Sequence, residues 1–172
     1  MPMPRAGVVV RPDGISHLSP SYAAAFLGLL RAADVVDRQL DHELRQSHGI
    51  SLPAFEILLH LGAFSPDGSL RMGRLIEQAP LSQSRVSRIV ADLEDRGLVA
   101  REASADDSRS VVVTLTETGS ELLKEASHTH LDGLGRVLFS RLTRSEVAEL
   151  ARLTARVLGD AAPRTGLPRR PR

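Results

Sequence analysis

Residues Ser82 to Arg96 carry the side chains whose types and spacing suit a definite chemistry. Read as a helix, Val86, Ile89, Val90 and Leu93 form its buried stripe. The opposite surface presents Gln83, Ser84, Arg85, Ser87, Arg88 and Ala91. From Pro80 to Ala91 there are two arginines and no acid; Asp92, Glu94 and Asp95 come only at the far end. Short hydroxyl side chains allow close approach to a DNA major groove. Arg and Gln are long enough to reach base edges, and Arg grips guanine with two hydrogen bonds. The helix start, with Ser82, favours phosphate. The alternative for the same residues is the solvated face of a surface helix. A second group is Asp107-Ser108-Arg109. An arginine on a protruding ribbon can enter a narrow minor groove, where the potential is most negative. Asp107 can hold that guanidinium by a charge-assisted hydrogen bond. The alternative here is a turn-forming Asp beside a solvated Arg.

The elements that must position these groups follow from periodicity and punctuation. Tyr22 to Gln46 has apolar residues in steps of three and four, which predicts one long amphipathic helix. Gly49 stops it. Ser51 caps the next helix, Leu52 to Gly62, with Pro53 in its first turn. Ser65-Pro66-Asp67-Gly68 is a turn by composition. Ser69 is expected to cap a short helix from Leu70 to Gln78. Pro80 breaks the chain, Ser82 caps the helix to about Arg96, and Gly97 ends it. Two strands follow, Leu98 to Ala103 and Ser110 to Leu115, with 104–109 between them as a polar hairpin loop. Thr116 caps a helix to about Ser140. Thr143 and Glu146 form a capping box that opens a last helix to Leu158. The order is that of a winged helix-turn-helix flanked by helices. The fold class is therefore mainly α with a small β-hairpin wing. The expected divisions are a flexible extension over 1–19, a first dimerisation helix over 20–48, a DNA-binding lobe over 51–116, dimerisation helices over 117–158 and a basic flexible tail over 159–172. Ser69 and Arg71, at the start of the preceding short helix, are counted with Ser82, Gln83, Ser84, Arg85, Ser87 and Arg88 as candidate DNA contacts.

Composition excludes several other classes. The 172 residues contain 22 basic and 21 acidic side chains, and Lys124 is the single lysine. A net charge of +1 does not by itself announce a polyanion partner, so the placement of the arginines decides. With no Cys there is no disulfide, thiolate metal site or cysteine nucleophile. No run of about 18 apolar residues exists, so no membrane span is expected, and a cytoplasmic location is inferred. The helical stripes outside the lobe offer more apolar surface than one small lobe can bury. A homodimer is the natural sink for it.

The stretch LIEQAPLSQSRVSRIVADLEDRGLV (75–99), then Arg101, Asp107-Ser108-Arg109, and Val113-Thr114-Leu115-Thr116 with Gly119, resembles the MarR family of bacterial regulators. The resemblance runs from about Tyr22 to Leu158. It implies a homodimer with one winged helix-turn-helix per subunit, bound to a pseudo-palindromic operator and usually repressing transcription. It carries major-groove and phosphate contacts onto Ser82, Gln83, Ser84, Arg85 and Arg88, and the minor-groove contact onto Arg109 with Asp107 as its support. Ile76 and Pro80 depart from the family's usual small residue and glycine. Relatives often bind small aromatic or phenolic ligands. Two readings of the signal are therefore carried: an anionic or phenolic ligand near Phe26 and Phe55, or no ligand at all.

No cofactor is expected. The six histidines lack metal-ligand spacing; His128 and His130 are two apart and diverge on a helix. No GxSxG, GxxxxGK[ST] or GxGxxG motif is present, so an enzyme is not expected. Gly133 and Gly135 are read as a bend or close helix crossing at the dimer centre. The alternative function is a winged-helix protein-interaction module without DNA binding.

Overall fold

A computed structural model describes residues 7–65, 67–103 and 110–159. The chain forms two compact units that divide after Arg38, inside the first long helix.

In the first unit, β1 (Val8–Val10) pairs antiparallel with β2 (Ser16–Leu18), with Val8 opposite Leu18 and Val10 opposite Ser16. This is regular structure in a stretch expected to be a flexible extension. The Pro12-Asp13-Gly14 turn explains it: Gly14 takes a positive φ of 84°, and the Asp13 carboxylate accepts the Ile15 N–H at 3.1 Å. Helix α1 (Pro20–His48) begins here, and its first half leaves Tyr22, Phe26, Leu27, Leu29 and Leu30 exposed.

The second unit holds the last third of α1 and everything after it. Helix α2 (Leu52–Phe64) starts where Ser51 Oγ accepts the Ala54 N–H at 3.3 Å. Asp41 of α1 accepts the Leu52 N–H at 2.8 Å and so ties the two helices. Next come β3 (Ser69–Arg71), α3 (Met72–Gln78), α4 (Gln83–Asp95), β4 (Val99–Ala103), β5 (Val111–Leu115), α5 (Glu117–Val137) and α6 (Arg144–Leu158). The sheet order is β3-β5-β4, all antiparallel. Val113, midway along β5, is fully buried between Leu70 and Arg101. Leu44, Phe55, Leu58, Leu61, Leu75, Val86, Val90 and Leu93 complete the core beneath it.

Further expectations change. Ser69 does not cap α3; it starts β3, and Arg71 occupies the cap position but its side chain does not cap the helix. Ile89 is only half-buried, so the stripe of α4 is Val86, Val90 and Leu93. Helix α5 ends at Val137, and a 3-10 turn over Phe139–Arg141 replaces its last residues. Gly133 is at a close crossing with α1 of the same chain: a Cβ there would lie 2.7 Å from Leu40 Cδ2 and from a Glu43 carboxylate oxygen. The capping box at Thr143 and Glu146 is present as expected.

His130 stacks on Phe55 with ring centroids 4.7 Å apart, and its Nδ1 is buried without a hydrogen-bond partner. Burial lowers the pKa of His130, and likewise of His60. The unfolded chain therefore takes up protons that the folded chain refuses. The stability from the neutral rings is complete above the ordinary histidine value of about 6.5 and is lost as pH falls toward the lowered values. The carboxylates Asp41 and Glu43, whose pKa values are lowered, lose their contribution only below about 4.5. The melting temperature should fall between pH 7.5 and 5.5, and fall less in His130→Phe. An equal drop in both proteins would remove His130 from this account.

Candidate nucleic-acid interface

The turn between α3 and α4 is short. The Ala79 N–H bonds the Leu75 carbonyl at 3.0 Å and closes α3. The Ser82 carbonyl then accepts the Arg85 and Val86 N–H groups at 2.9 and 3.0 Å and opens α4. The Ser82 hydroxyl makes no capping bond; it lies 3.3 Å from Ser84 Oγ. This corrects the expected side-chain cap. It leaves two hydroxyls at an exposed helix start, where the first N–H groups have no partner within the helix.

Gln83, Ser84, Arg85 and Arg88 are all exposed and Ser87 is half-buried, so the acid-free half of α4 faces outward as a continuous polar surface. The far end of α4 is fixed by a left-handed glycine. Gly97 has φ of 70°, its N–H bonds the Glu94 carbonyl at 2.8 Å, and the Leu98 N–H reaches back to Leu93 at 2.9 Å. Leu93 and Leu98, both buried, pack where the chain reverses.

That reversal brings together a pair which sequence reasoning missed. Glu94 accepts hydrogen bonds from Arg101 Nε at 2.7 Å and from the Arg101 backbone N–H at 3.1 Å. The Arg101 guanidinium holds the Glu94 carboxyl below the usual carboxylate range. Helix α4 is thereby tied to strand β4. The residues are seven apart, and the one sequence signal for their meeting is the Gly97 turn between them.

Ser69 and Arg71 lie on β3, an edge strand beside α3. Ser69 Oγ is 3.0 Å from Thr114 Oγ1, and Arg71 pairs across to Val112. Arg71 is exposed. Asp107 and Arg109 lie outside the described residues; the strands flanking them, β4 and β5, are paired from Val99–Leu115 to Ala103–Val111. Phe55 is 1% exposed and belongs to the core of the second unit, whereas Phe26 is 54% exposed on α1 in the first. Among the described residues no three metal-ligating side chains come together, and no helix is long and apolar enough to cross a membrane.

Comparison with known proteins agrees with this geometry. The family model described as the MarR family matches residues 48–110. The HTH-type transcriptional repressor Rv2887 of Mycobacterium tuberculosis is 33% identical over 112 residues, 65% of this chain and 78% of that one. The crystal structure of Sco3205, a MarR family transcriptional regulator from Streptomyces coelicolor, in complex with DNA, is similar with a TM-score of 0.79 and 29% identity, covering 86% of this chain and 91% of that one. AbsC, a MarR family transcriptional regulator from the same organism, is similar with a TM-score of 0.75 and 27% identity, over 85% of this chain and 95% of that one. A helix-turn-helix clipped to a three-stranded sheet, a relative with a third of its aligned residues in common and the family model on the same lobe agree: the chain belongs to the MarR family.

Proposed function

We propose that this chain is a transcriptional regulator that binds double-stranded DNA sequence-specifically, as a homodimeric repressor on a pseudo-palindromic operator. The observation that carries the reading is the exposed, acid-free first half of α4, held at a fixed angle to the winged sheet by the Glu94–Arg101 pair. Ser82, Gln83, Ser84, Arg85, Ser87 and Arg88 supply the major-groove and phosphate contacts, with Ser69 and Arg71 on the flanking strand. Arg109, supported by Asp107, reads the minor groove. That the Streptomyces coelicolor relative was crystallised in complex with DNA supports DNA binding. The work of the chain is binding rather than catalysis.

Apolar surface supports the dimer. Helix α6 has no buried residue, and Leu150, Leu153 and Val157 stand exposed along it. Phe26, Leu29 and Leu30 do the same on α1. Surface of this kind is covered by a partner in a stable protein. A two-fold axis would set two α4 helices about 34–36 Å apart, one turn of DNA. Relief by a small anionic or phenolic ligand completes the reading and rests on the resemblance to the family.

The test is selection from random duplex DNA at constant salt. A regulator returns a palindromic motif with half-sites one turn apart, and its binding constant falls with salt at about 0.9 per phosphate contact on a log-log plot. A protein-interaction module returns no motif and no such slope. On the selected duplex, Arg109→Ala is expected to cost about 1–3 kcal/mol of affinity while the melting temperature stays put. Unchanged affinity would remove the wing from the interface.

A further inference from the structure

A cleft of about 340 Å³ opens between the end of α1, the start of α2 and one flank of α4. Four of its lining side chains are arginines: Arg45 from α1, Arg85 and Arg88 from α4, and Arg96 from the residue that closes α4. Asp92 is the acid among them. In a chain whose net charge is +1, this is a local concentration of positive charge.

The carboxylates offset this charge only in part: Asp41 pairs with Arg45 and also acts on Arg85 through space, and Asp92 stands beside Arg96, which leaves two carboxylates against four guanidinium groups. Arg45 bonds Asp41 at 2.6 Å, but that carboxylate also takes the Leu52 N–H. Arg96 is aimed by a 3.1 Å bond to the Gly49 carbonyl and stands 3.9 Å from Asp92. Among the described residues, neither Arg85 nor Arg88 has a carboxylate within ion-pairing distance; Arg88 Nε lies 3.4 Å from the Ser84 carbonyl.

Helix geometry sorts these side chains into two roles. At about 100° per residue, Ser84 and Arg88 stand opposite the buried stripe of Val86, Val90 and Leu93. Arg85, Ile89, Asp92 and Arg96 fall instead along one flank, the wall of the cleft, while Arg88 borders the same cleft from the outward face. A helix inserted in a major groove meets base edges ahead of it and the sugar-phosphate walls on its flanks. The forked guanidinium suits phosphate oxygens there.

We propose that this cleft seats a backbone phosphate of the bound duplex, held by Arg45, Arg85 and Arg96, and that Arg88 is left as the arginine that reads bases. This rests on the DNA-binding reading above and extends the footprint from α4 to the end of α1. Arg45 is the discriminating residue, since it is exposed and lies far from α4 in sequence.

The experiment measures the binding constant of the full chain against salt, on a duplex recovered by selection and on one of scrambled sequence. Arg45→Gln and Arg85→Gln should each lower the log-log salt slope by about 0.9, and should weaken both duplexes by the same factor. Arg45→Lys should keep the slope, and Arg152→Gln on α6 serves as a charge-loss control outside the cleft. Arg88→Gln should change the preferred base instead. Thermal melts confirm that each variant folds. If the parent chain shows no salt-dependent DNA binding, the regulator reading falls and this inference with it. If the parent binds and the slopes of both Arg45→Gln and Arg85→Gln match it, the cleft is not a phosphate seat. Titration with inorganic phosphate alone separates the remaining source: saturable binding lost in Arg45→Gln, with an unaltered DNA slope, would overturn the proposal in favour of a free anion.

Discussion

Gly119→Ala is expected to destabilise the fold by about 3 kcal/mol, the upper range for forcing a methyl group into a packed site. Helix α5 begins where Thr116 Oγ1 accepts the Gly119 N–H at 3.0 Å, and this first turn is pressed against the backbone that leaves α4. A Cβ on Gly119 would overlap the Leu98 carbonyl oxygen and stand 2.9 Å from both the Leu98 carbonyl carbon and Leu115 Cδ1. The obstacle is mostly main chain, and that carbonyl is already held by the Thr116 N–H at 3.2 Å and its hydroxyl at 3.0 Å. It has nowhere to withdraw. For a chain of this size the loss should appear as a melting temperature lower by about 6–12 °C. Gly73→Ala is the control, because nothing lies within 4 Å of a Cβ at that helical position. It should be neutral or stabilising by about 0.5–1 kcal/mol. Equal melting temperatures for Gly119→Ala and the parent would mean that α5 does not start against Leu98.

Phe55→Ala is expected to cost about 3–5 kcal/mol, the range for deleting a fully buried aromatic. Phe55 is 1% exposed and faces the His130 ring, so its removal opens a void between α2 and α5 and leaves His130 without its apolar partner. The same variant separates two readings of this residue. A core residue lowers stability whatever effector is present. A residue that mainly lines a ligand pocket would leave the denaturation midpoint alone and alter only the response to the ligand. Denaturant titration with a phenolic acid present and absent distinguishes these results.

Much of this architecture is local and could be read from spacing. The helix order, the two wing strands, the Gly97 stop, and the caps at Ser51, Thr116 and Thr143 each depend on residues a few positions apart. What escaped depends on distance along the chain or on short, weakly patterned segments. Strand β3 has three residues and no alternation of its own; it exists because Ser69 meets Thr114 and Arg71 meets Val112. The hairpin over 8–18 falls in a stretch read as a flexible extension, and Ser16-His17-Leu18 carries no strand pattern of its own. Gly133 was recognised as a close-approach residue, yet its partner, Leu40 on α1, cannot be known from α5 alone. The outward half of α4 was readable from its lack of acids. The arginine cleft was not, because Arg45 is brought near Arg85 and Arg96 only by the packing of α1, α2 and α4. Glu94 and Arg101 met through the Gly97 reversal, a pairing that periodicity does not encode.

Strand β5 has a consequence for how the molecule opens. It is the central strand, bonded on one side to β3 and on the other to β4. The segment that immediately follows β3 is α3, and the segment that immediately precedes β4 is α4. The whole helix-turn-helix is thus a loop of chain whose two ends are stitched to the same strand. It cannot fray from one end as a terminal helix does. To release either end, β5 must give up a ladder. Backbone amides of α4 buried beneath this sheet and those of β5 should therefore exchange with solvent as one cooperative unit, while α6, with no buried residue in the single chain, exchanges on its own schedule.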